Sequence, residues 1–184
     1  MHFANIIRTG FISVFLLLSV QAQAQIFSIT KGKVDFRSDA PLELITASSK
    51  DLKGKIDVEK RQFAFSVKMN SFMGFNSPLQ REHFNENYVE SDVYPDASFT
   101  GKIIEEVNLA ADGTYEIRAK GKFTIHGVTQ DRIIKSTVVV KNGMIRLDAA
   151  FTVLLADHNI PVPKVVHEKL ASEIKVNVTA ELKQ

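Results

Sequence analysis

The side chains of this sequence best suited to acid–base chemistry or metal binding are its histidines. Four of the five lie beyond the N-terminal segment, at positions 83, 126, 158 and 167, and no two of them show the i, i+4 spacing of a helical ligand pair. His83, His126 and His158 could converge at one rim, where they would hold a metal ion or a polar headgroup. The alternative is hydrogen bonding to the backbone at turns, which the Gly after His126 and the Asn after His158 favour. We therefore predict no metal site and treat these three histidines as candidate headgroup contacts.

Arg81 is the other candidate for a polar contact with a ligand. Its planar guanidinium suits a phosphate or a quinone oxygen, although charged residues such as Arg81 and Glu82 more often form the solvated face of a short helix. The sequence has no Gly-x-Ser-x-Gly elbow, no phosphate-binding glycine loop and no paired-carboxylate motif with an obvious pocket. It also has no cysteine, which excludes thiolate catalysis and thiolate metal sites. We predict a binding protein without catalytic residues, and not an enzyme.

The N-terminal segment has the features of an export signal. Arg8 precedes an apolar run over residues 11–20, and Ala22-Gln23-Ala24 matches the small-x-small pattern of a signal-peptidase site. The run is too short for a membrane-spanning helix, which needs about 20 apolar residues, and no comparable run follows it. We predict that residues 1–24 are a signal peptide, that residues 25–184 form one exported, periplasmic domain, and that this domain has no integral membrane span.

The predicted mature chain is nearly neutral. Residues 1–24 contain Arg8 and no acidic side chain, so 22 of the 23 basic and all 21 acidic residues remain. Phosphate binding requires a concentrated basic surface, and this balance therefore argues against a nucleic-acid partner. Exported domains of this size often carry disulfides, but none can form without cysteine. The stability of the fold must come from burial and strand pairing.

Alternation of apolar and polar residues dominates the mature chain. Over residues 115–125 every odd position is apolar or glycine and every even position is charged or Thr, as in a strand with one buried face. Asn142-Gly143 predicts a hairpin turn, because both central residues of such a turn need positive φ. Strands of this kind indicate an antiparallel sheet. The predicted strands are residues 26–37, 42–48, 51–59, 61–70, 97–107, 114–126, 131–141, 144–155 and 172–183.

Two segments depart from the strand pattern. Ser77-Pro78-Leu79-Gln80 has the capping serine, first-turn proline and following glutamine of a helix start, and this helix should reach Val89. Residues 163–171 predict a shorter helix. About eight long amphipathic strands close into a barrel more easily than they form an open sheet with exposed edges, although a two-sheet sandwich is compatible with the pattern. The predicted fold class is all-β, an antiparallel barrel of about eight strands with one or two short helices.

The outward positions of the predicted barrel are charged, which argues against a barrel that faces lipid. The inward positions combine bulky residues with places where bulk is missing: Phe65, Phe99, Phe123 and Phe151 share this face with Gly121. A barrel of eight strands is either filled by its own side chains or holds one small ligand. A small residue fits the taper of a filled barrel as well as it fits a cavity, so the pattern alone leaves both interpretations open.

Four short motifs resemble landmarks of a known family. They are FNSPLQREHF at residues 75–84, YPDASF at 94–99, KGKFTIHGVT at 120–129 and ADHNI at 156–160. Each motif alone is weak, but the four in this order, spread over the mature chain, resemble the YceI-like family. The resemblance implies a lipocalin-like antiparallel barrel, exported to the periplasm, that encloses a long apolar molecule of the polyisoprenoid type.

The implied function is transport, storage or sequestration of an isoprenoid quinone, a prenyl lipid, a fatty-acid derivative or a similar chain. No cofactor is implied besides the bound lipid. Two alternatives stay open, namely a stress-response barrel with a filled core that acts through a protein partner, and an enzyme acting on an apolar substrate. A homodimer that closes the mouth of the barrel is compatible with the sequence, and no residue pattern decides it.

The resemblance also favours a lid over the barrel mouth. The first helix and the segment before it would supply aromatic and thioether side chains that adapt to a flexible chain, whereas the alternative is that they plug the barrel. The lid candidates are Phe72, Met73, Phe75, Leu79, Phe84 and Tyr88. The predicted wall of the apolar pocket consists of Phe65, Val67, Phe99, Ile117, Gly121, Phe123, Phe151 and Val153. The candidate headgroup contacts are Arg81, His83, His126 and His158.

Overall fold

Within the residues described by the computed structural model, 25–184, the chain forms nine β-strands and one α-helix. The predicted signal peptide lies outside these residues. The helix, α1, spans Pro78–His83 and continues into a π-helical turn, Phe84–Tyr88. The strands are β1 (Ile26–Asp39), β2 (Leu44–Ser49), β3 (Lys53–Asp57), β4 (Gln62–Lys68), β5 (Asp96–Ile103), β6 (Gly113–Ile125), β7 (Val128–Lys141), β8 (Met144–Leu154) and β9 (Glu173–Lys183).

The sheet is antiparallel throughout and closes on itself. β1 pairs with β9 along residues 28–37, with one bulge between Ile29 and Lys31. The opposite edge of β1 is shared, because residues 26–28 pair with β3 and residues 34–39 pair with β2. Eight strands therefore form a closed barrel, and β2 is an extra strand beside β1. This topology confirms the predicted antiparallel barrel and rules out the two-sheet sandwich.

One end of the barrel, here called the closed end, is filled by side chains. The β3–β4, β5–β6 and β7–β8 connections lie at this end, as the antiparallel order requires. The β7–β8 turn is the predicted hairpin, since Asn142 and Gly143 have positive φ values of 50° and 71°. The adjacent core layer contains side chains with at most 2% of their surface exposed, among them Phe27, Ile56, Val138, Ile145 and Leu182.

The opposite end, here called the lid end, carries α1 and the longer connections. Ser77 caps α1 by accepting a hydrogen bond from the Gln80 N–H (3.1 Å), and Pro78 occupies the first helical position. Gln80 Oε1 in turn accepts a hydrogen bond from the Asn76 N–H (3.0 Å). The predicted helix start is confirmed, and the helical path ends at Tyr88, one residue before the predicted end.

The second predicted helix, residues 163–171, is wrong, because this segment contains only a 3-10 turn, Lys164–Val166. Beyond the turn, the Lys169 and Leu170 N–H groups both donate to Val166 O (2.8 and 2.9 Å), and other groups of the segment bond neighbouring elements. The Leu42 N–H donates to Glu168 O (2.8 Å), and the Ala171 N–H donates to Ser38 Oγ (2.9 Å). A helix this short is marginal on its own, so these tertiary hydrogen bonds decide the conformation.

β5 and β6 approach each other closely where two glycines face each other. Gly101 and Gly121 are direct partners in the ladder. A Cβ at Gly121 would lie 2.1 Å from Thr100 O, and a Cβ at Gly101 would lie 2.1 Å from Lys120 O. The neighbouring strand thus takes up the space beside Gly121. The expectation that this glycine leaves room for a ligand is therefore corrected.

A 3-10 turn, Leu155–His158, follows β8 at the lid end and buries its histidine. The His158 ring has no exposed surface and packs edge-on against Phe123, with ring centroids 5.3 Å apart. Its Nδ1 donates to Val128 O (3.1 Å), whereas Nε2 is buried without a hydrogen-bond partner among the described residues. Burial disfavours the charged ring, so the pKa of His158 lies below its ordinary value of 6.5.

Gly121→Ala is expected to destabilise the barrel by about 2–3 kcal/mol, because the added methyl group meets backbone atoms that cannot rotate away. Gly113→Ala is the matched control. Gly113 also lies in β6, but the atoms nearest to a Cβ there belong to the Tyr115 side chain, the closest at 3.0 Å. Urea unfolding measures both changes. A loss for Gly121→Ala no larger than that for Gly113→Ala would show that the barrel does not depend on this close approach.

Acidification from about pH 7 to about pH 5 is expected to lower the free energy of unfolding, in part through His158. Because burial depresses its folded-state pKa, the unfolded chain binds a proton at a higher pH than the folded chain does, and acid favours unfolding. His158→Asn keeps a donor for Val128 O but does not titrate. Urea unfolding across this pH range should therefore give a shallower pH slope for His158→Asn than for the wild type.

The control for this experiment is His83→Asn, because His83 is an exposed histidine at the end of α1. This variant should keep the wild-type slope between the same pH values. Parallel slopes for the wild type and His158→Asn would contradict the assignment of the acid sensitivity to His158.

Candidate functional site

The barrel encloses a cavity between the closed end and the lid end. Its volume is about 220 Å³, and residues from all nine strands line it together with α1 and the connections at the lid end. The lining side chains are almost all apolar, so an ionised group placed among them would lose its hydration without gaining polar partners. The cavity therefore suits an apolar molecule.

Eleven of the fourteen predicted wall and lid residues line this cavity. Strand alternation located the wall residues, because all inward positions of a closed barrel face the same space. The wall contributes Phe65, Val67, Phe99, Ile117, Phe123, Phe151 and Val153, and the lid contributes Phe72, Phe75, Phe84 and Tyr88.

Met73, Leu79 and Gly121 do not line the cavity, which corrects the prediction for these three residues. Met73 pairs through its backbone with Ser48 on β2, and 56% of its surface is exposed. Leu79 lies on α1 with 57% of its surface exposed. Gly121 faces the backbone of β5. Sequence shows that a residue is apolar, but it does not show which side of a single helical turn rests on the barrel.

The lid rests on the barrel through a cluster of four phenylalanine rings. Phe36 of β1 contacts Phe72, Phe75 and Phe84, with ring centroids 5.4, 5.8 and 5.4 Å apart. The three lid rings also contact one another through Phe84, at 5.9 Å from Phe72 and 5.1 Å from Phe75. Sequence reasoning missed Phe36, although its alternation with Asp35 and Arg37 marks it as inward-facing.

Aromatic rings in the cavity wall point inward but are not fully buried. Phe65, Phe99 and Phe151 keep an intermediate exposure, whereas the layer at the closed end is buried completely. These rings form a row with Phe63 and Phe123, in which successive centroids lie between 4.9 and 6.3 Å apart. The row leaves apolar surface facing the cavity, and covering that surface with apolar ligand atoms would be favourable.

Arg81 and His83 do not lie at the cavity. The Arg81 guanidinium donates from Nε to Phe72 O (3.1 Å) and from Nη2 to Asn70 O (2.9 Å), so it ties the preceding segment to α1. His83 is exposed at the end of α1. Neither residue lines the cavity, so the structure gives no support to their expected contact with a headgroup.

His126 and His158 lie beside each other at the lid end and bond protein atoms. His126 Nδ1 donates to His158 O (3.0 Å), and His126 Nε2 lies within hydrogen-bond distance of a carboxylate oxygen of Glu90. His158 Nδ1 donates to Val128 O. These contacts match the backbone-bonding alternative, and neither histidine lines the cavity. The described residues contain no group of three or more His, Cys, Asp or Glu that could hold a metal ion.

A few polar side chains reach the cavity, and apart from Tyr88 the sequence reasoning assigned none of them to it. Ser38 and Gln80 lie at the lid end, and Ser136 lies on β7 at an inward position between Ile134 and Val138. Strand alternation could have found Ser136, because its neighbours two residues away on either side are both apolar.

In the described part of the chain, no helix is long and apolar enough to cross a membrane.

Comparison with known proteins gives a family match over nearly the whole described chain. A model of the YceI-like domain matches residues 21–182. A UPF0312 protein from Pseudomonas fluorescens is 28% identical over 110 residues, which cover 56% of this chain and 56% of that protein. The match therefore spans little more than half of the length of this relative.

Solved structures share the fold at low sequence identity. BcnA of Burkholderia cenocepacia is 16% identical, with a TM-score of 0.67 and coverage of 82% of this chain and 95% of that chain. A polyisoprenoid binding domain from Saccharophagus degradans, implicated in plant cell wall breakdown, is 13% identical, with a TM-score of 0.69 and coverage of 85% and 97%. The YceI protein of Campylobacter jejuni is 16% identical, with a TM-score of 0.54 and coverage of 100% and 99%. With its lipocalin-like closed barrel and a family match over residues 21–182, the chain belongs to the YceI-like domain family.

Proposed function

We propose that the protein binds a polyisoprenoid or a similar long apolar chain in the barrel cavity. The observation that carries this proposal is the partial exposure of three inward-facing rings, Phe65, Phe99 and Phe151, because a barrel with a filled core would bury them. The name of the Saccharophagus degradans domain specifies the same ligand class for that protein. Isoprenoid quinones, prenyl lipids and fatty-acid derivatives all carry a chain of this kind.

Binding would be driven by the removal of apolar surface from water. Each Å² buried contributes about 25 cal/mol before the cost of ordering the ligand is subtracted. The wall consists of strands paired along the closed sheet, so its shape is fixed without a ligand. A preformed cavity reduces the ordering cost on the protein side.

The lid segment, residues 72–90, would control access to this cavity. Its rings Phe72, Phe75 and Phe84 touch Phe36 of the barrel, and they also line the cavity. A chain that enters from the lid end must separate some of these ring contacts. The same rings would then close over the bound chain and replace its contact with water.

The protein would transport, store or sequester this lipid in the periplasm after export by the predicted signal peptide. The proposal requires no catalytic residue, cofactor or metal ion. At the lid end, His126 contacts Glu90 and His158 O through its two ring nitrogens, and His158 Nδ1 donates to Val128 O.

Protein purified from its native cells is expected to carry an apolar compound in stoichiometric amount, because the aromatic wall favours occupancy. Native mass spectrometry should detect the added mass, and unfolding followed by organic extraction should release the compound. A protein that is empty and takes up no added geranylgeraniol would contradict the proposed function. That result would favour the alternative of a filled-core barrel that acts through a protein partner.

A pair of variants tests whether the compound lies in the cavity. Ala149 lines the cavity, and Ala150, the next residue of β8, is exposed on the outside of the barrel. Ala149→Phe should fill space and lower the affinity for geranylgeraniol at least about tenfold, whereas Ala150→Phe should leave it unchanged. Ala149→Leu replaces Ala149→Phe if the larger ring prevents folding. Equal affinities in the two folded variants would place the compound outside the cavity.

Amide exchange in residues 72–90 is expected to be faster in lipid-free protein than in lipid-loaded protein, because the bound chain adds apolar contacts that hold the lid. Hydrogen–deuterium exchange with mass spectrometry measures this difference. The closed end provides an internal control, since Val138 and Ile145 should be equally protected in both states. Equal protection of residues 72–90 in both states would show that this segment is a plug and not a lid.

A further inference from the structure

Ser136 places a hydroxyl group deep in the apolar cavity. It lies on β7, where it pairs with Ile117 of β6 and Ala149 of β8, and all three residues line the cavity. The next inward residue toward the closed end is Val138, which is completely buried and does not line the cavity. Ser136 is therefore the last residue of β7 that lines the cavity on the side of the closed end, where Leu147, the ladder partner of Val138, also lines it; this side is here called the floor.

The Ser136 hydroxyl makes no hydrogen bond with another group in residues 25–184, and only 6% of the residue surface is exposed. Ser38 and Ser49 are bonded within the fold, whereas Ser91, which is also buried, does not line the cavity. Ser38 Oγ accepts a hydrogen bond from the Ala171 N–H (2.9 Å), and Ser49 Oγ bonds Ser71 Oγ (2.6 Å) and the Asp51 N–H (3.0 Å). Those two hydroxyls connect parts of the fold, whereas Ser136 has no such structural bond. Ser136 belongs to the cavity lining, so its hydroxyl can be reached from the cavity, where a polar atom from outside the chain would give it a hydrogen bond.

Two of the polar side chains at the lid end, Gln80 and Ser38, already form hydrogen bonds within the fold. Gln80 lines the cavity, but its amide is already used, since Oε1 accepts from the Asn76 N–H and Nε2 donates to Glu43 Oε1 (2.9 Å). Ser38 is engaged with Ala171. The remaining surface there is formed largely by the phenylalanine cluster of the lid. The polarity of the cavity thus favours a ligand whose apolar part lies under the lid and whose polar atom lies at the floor.

Two other serines of the lining do not compete with Ser136. Ser66 of β4 and Ser98 of β5 are partners in the ladder and alternate with the inward-facing residues Phe65, Val67 and Phe99. Strand alternation directs the side chains of both serines away from the cavity. Tyr88 at the lid end is the one competitor that the test must separate, because its phenol also belongs to the lining.

We propose that Ser136 determines specificity by hydrogen-bonding an oxygen or nitrogen atom carried by the ligand end that enters deepest. This inference rests on the proposed binding of an apolar chain and adds its chemical class, a chain whose inserted end carries a hydroxyl, carbonyl or amide group. A serine hydroxyl donates as well as accepts, so the site accepts any of these groups. A chain that ends in hydrocarbon leaves Ser136 without a partner and binds less tightly.

The test compares two probes that differ by one hydroxyl group, geranylgeraniol and the corresponding hydrocarbon without oxygen. Their dissociation constants are measured by displacement of the fluorescent cis-parinaric acid. Ser136→Thr and Ser136→Val form the matched variant pair, because their side chains have the same shape and differ in the hydroxyl. The wild type and Ser136→Thr should prefer the alcohol. In Ser136→Val the ratio of the two dissociation constants, hydrocarbon to alcohol, should fall about five- to tenfold, mainly because the alcohol binds more weakly.

The outcomes separate failure of this inference from failure of the proposed function. If the wild type binds neither probe, the proposed function fails and the inference fails with it. If the wild type binds both probes but Ser136→Thr and Ser136→Val show the same preference, the inference alone is overturned. Loss of the preference in Tyr88→Phe, with retention in Ser136→Val, would place the polar end of the ligand at the lid and would also overturn it.

Discussion

Pairing between β1 and β9 is the constraint on which the rest of this structure depends. Because these strands bond along residues 28–37, the sheet has no free edge in the barrel, and every second side chain must face the interior. The number of strands then fixes the interior space, whichever side chains occupy it. At the closed end, residues such as Ile145 and Leu182 fill that space completely, whereas nearer the lid the inward phenylalanines leave it open.

The lid is held over the open part of the barrel by contacts of different kinds. Arg81 bonds the carbonyl groups of Asn70 and Phe72, which fixes α1 to the segment that precedes it. At the other end of the lid, Glu90 pairs with His126, and both residues have left-handed backbone with φ values of 46° and 52°. Between these polar anchors the lid touches the barrel through phenylalanine rings. Ring contacts have little directionality, so an apolar ligand can replace them without leaving a polar group unpaired.

Sequence patterns predicted the fold better than the site. Alternation and the Asn142-Gly143 turn indicated the barrel, because these features depend on neighbouring residues alone. Gly121 was misassigned, since its role depends on the distance to Thr100 in another strand. The expected ligand contact of Arg81 was not found for a similar reason. Arg81 bonds backbone carbonyl groups, and such groups have no signature in the sequence. Whether an interior is filled or hollow depends on the combined volume of inward side chains from all strands. The pattern within one strand does not determine that volume.

Division of the barrel into a filled half and a hollow half reconciles stability with binding. Without disulfides, the fold depends on buried surface and on the ladder, and the closed end supplies a completely buried layer that no ligand needs to complete. The barrel can then keep its shape while the lid end is empty, so that ligand entry does not have to drive folding. The hollow half leaves aromatic surface uncovered in the absence of a ligand. This exposure is unfavourable, and an apolar chain that covers the surface gains free energy on binding.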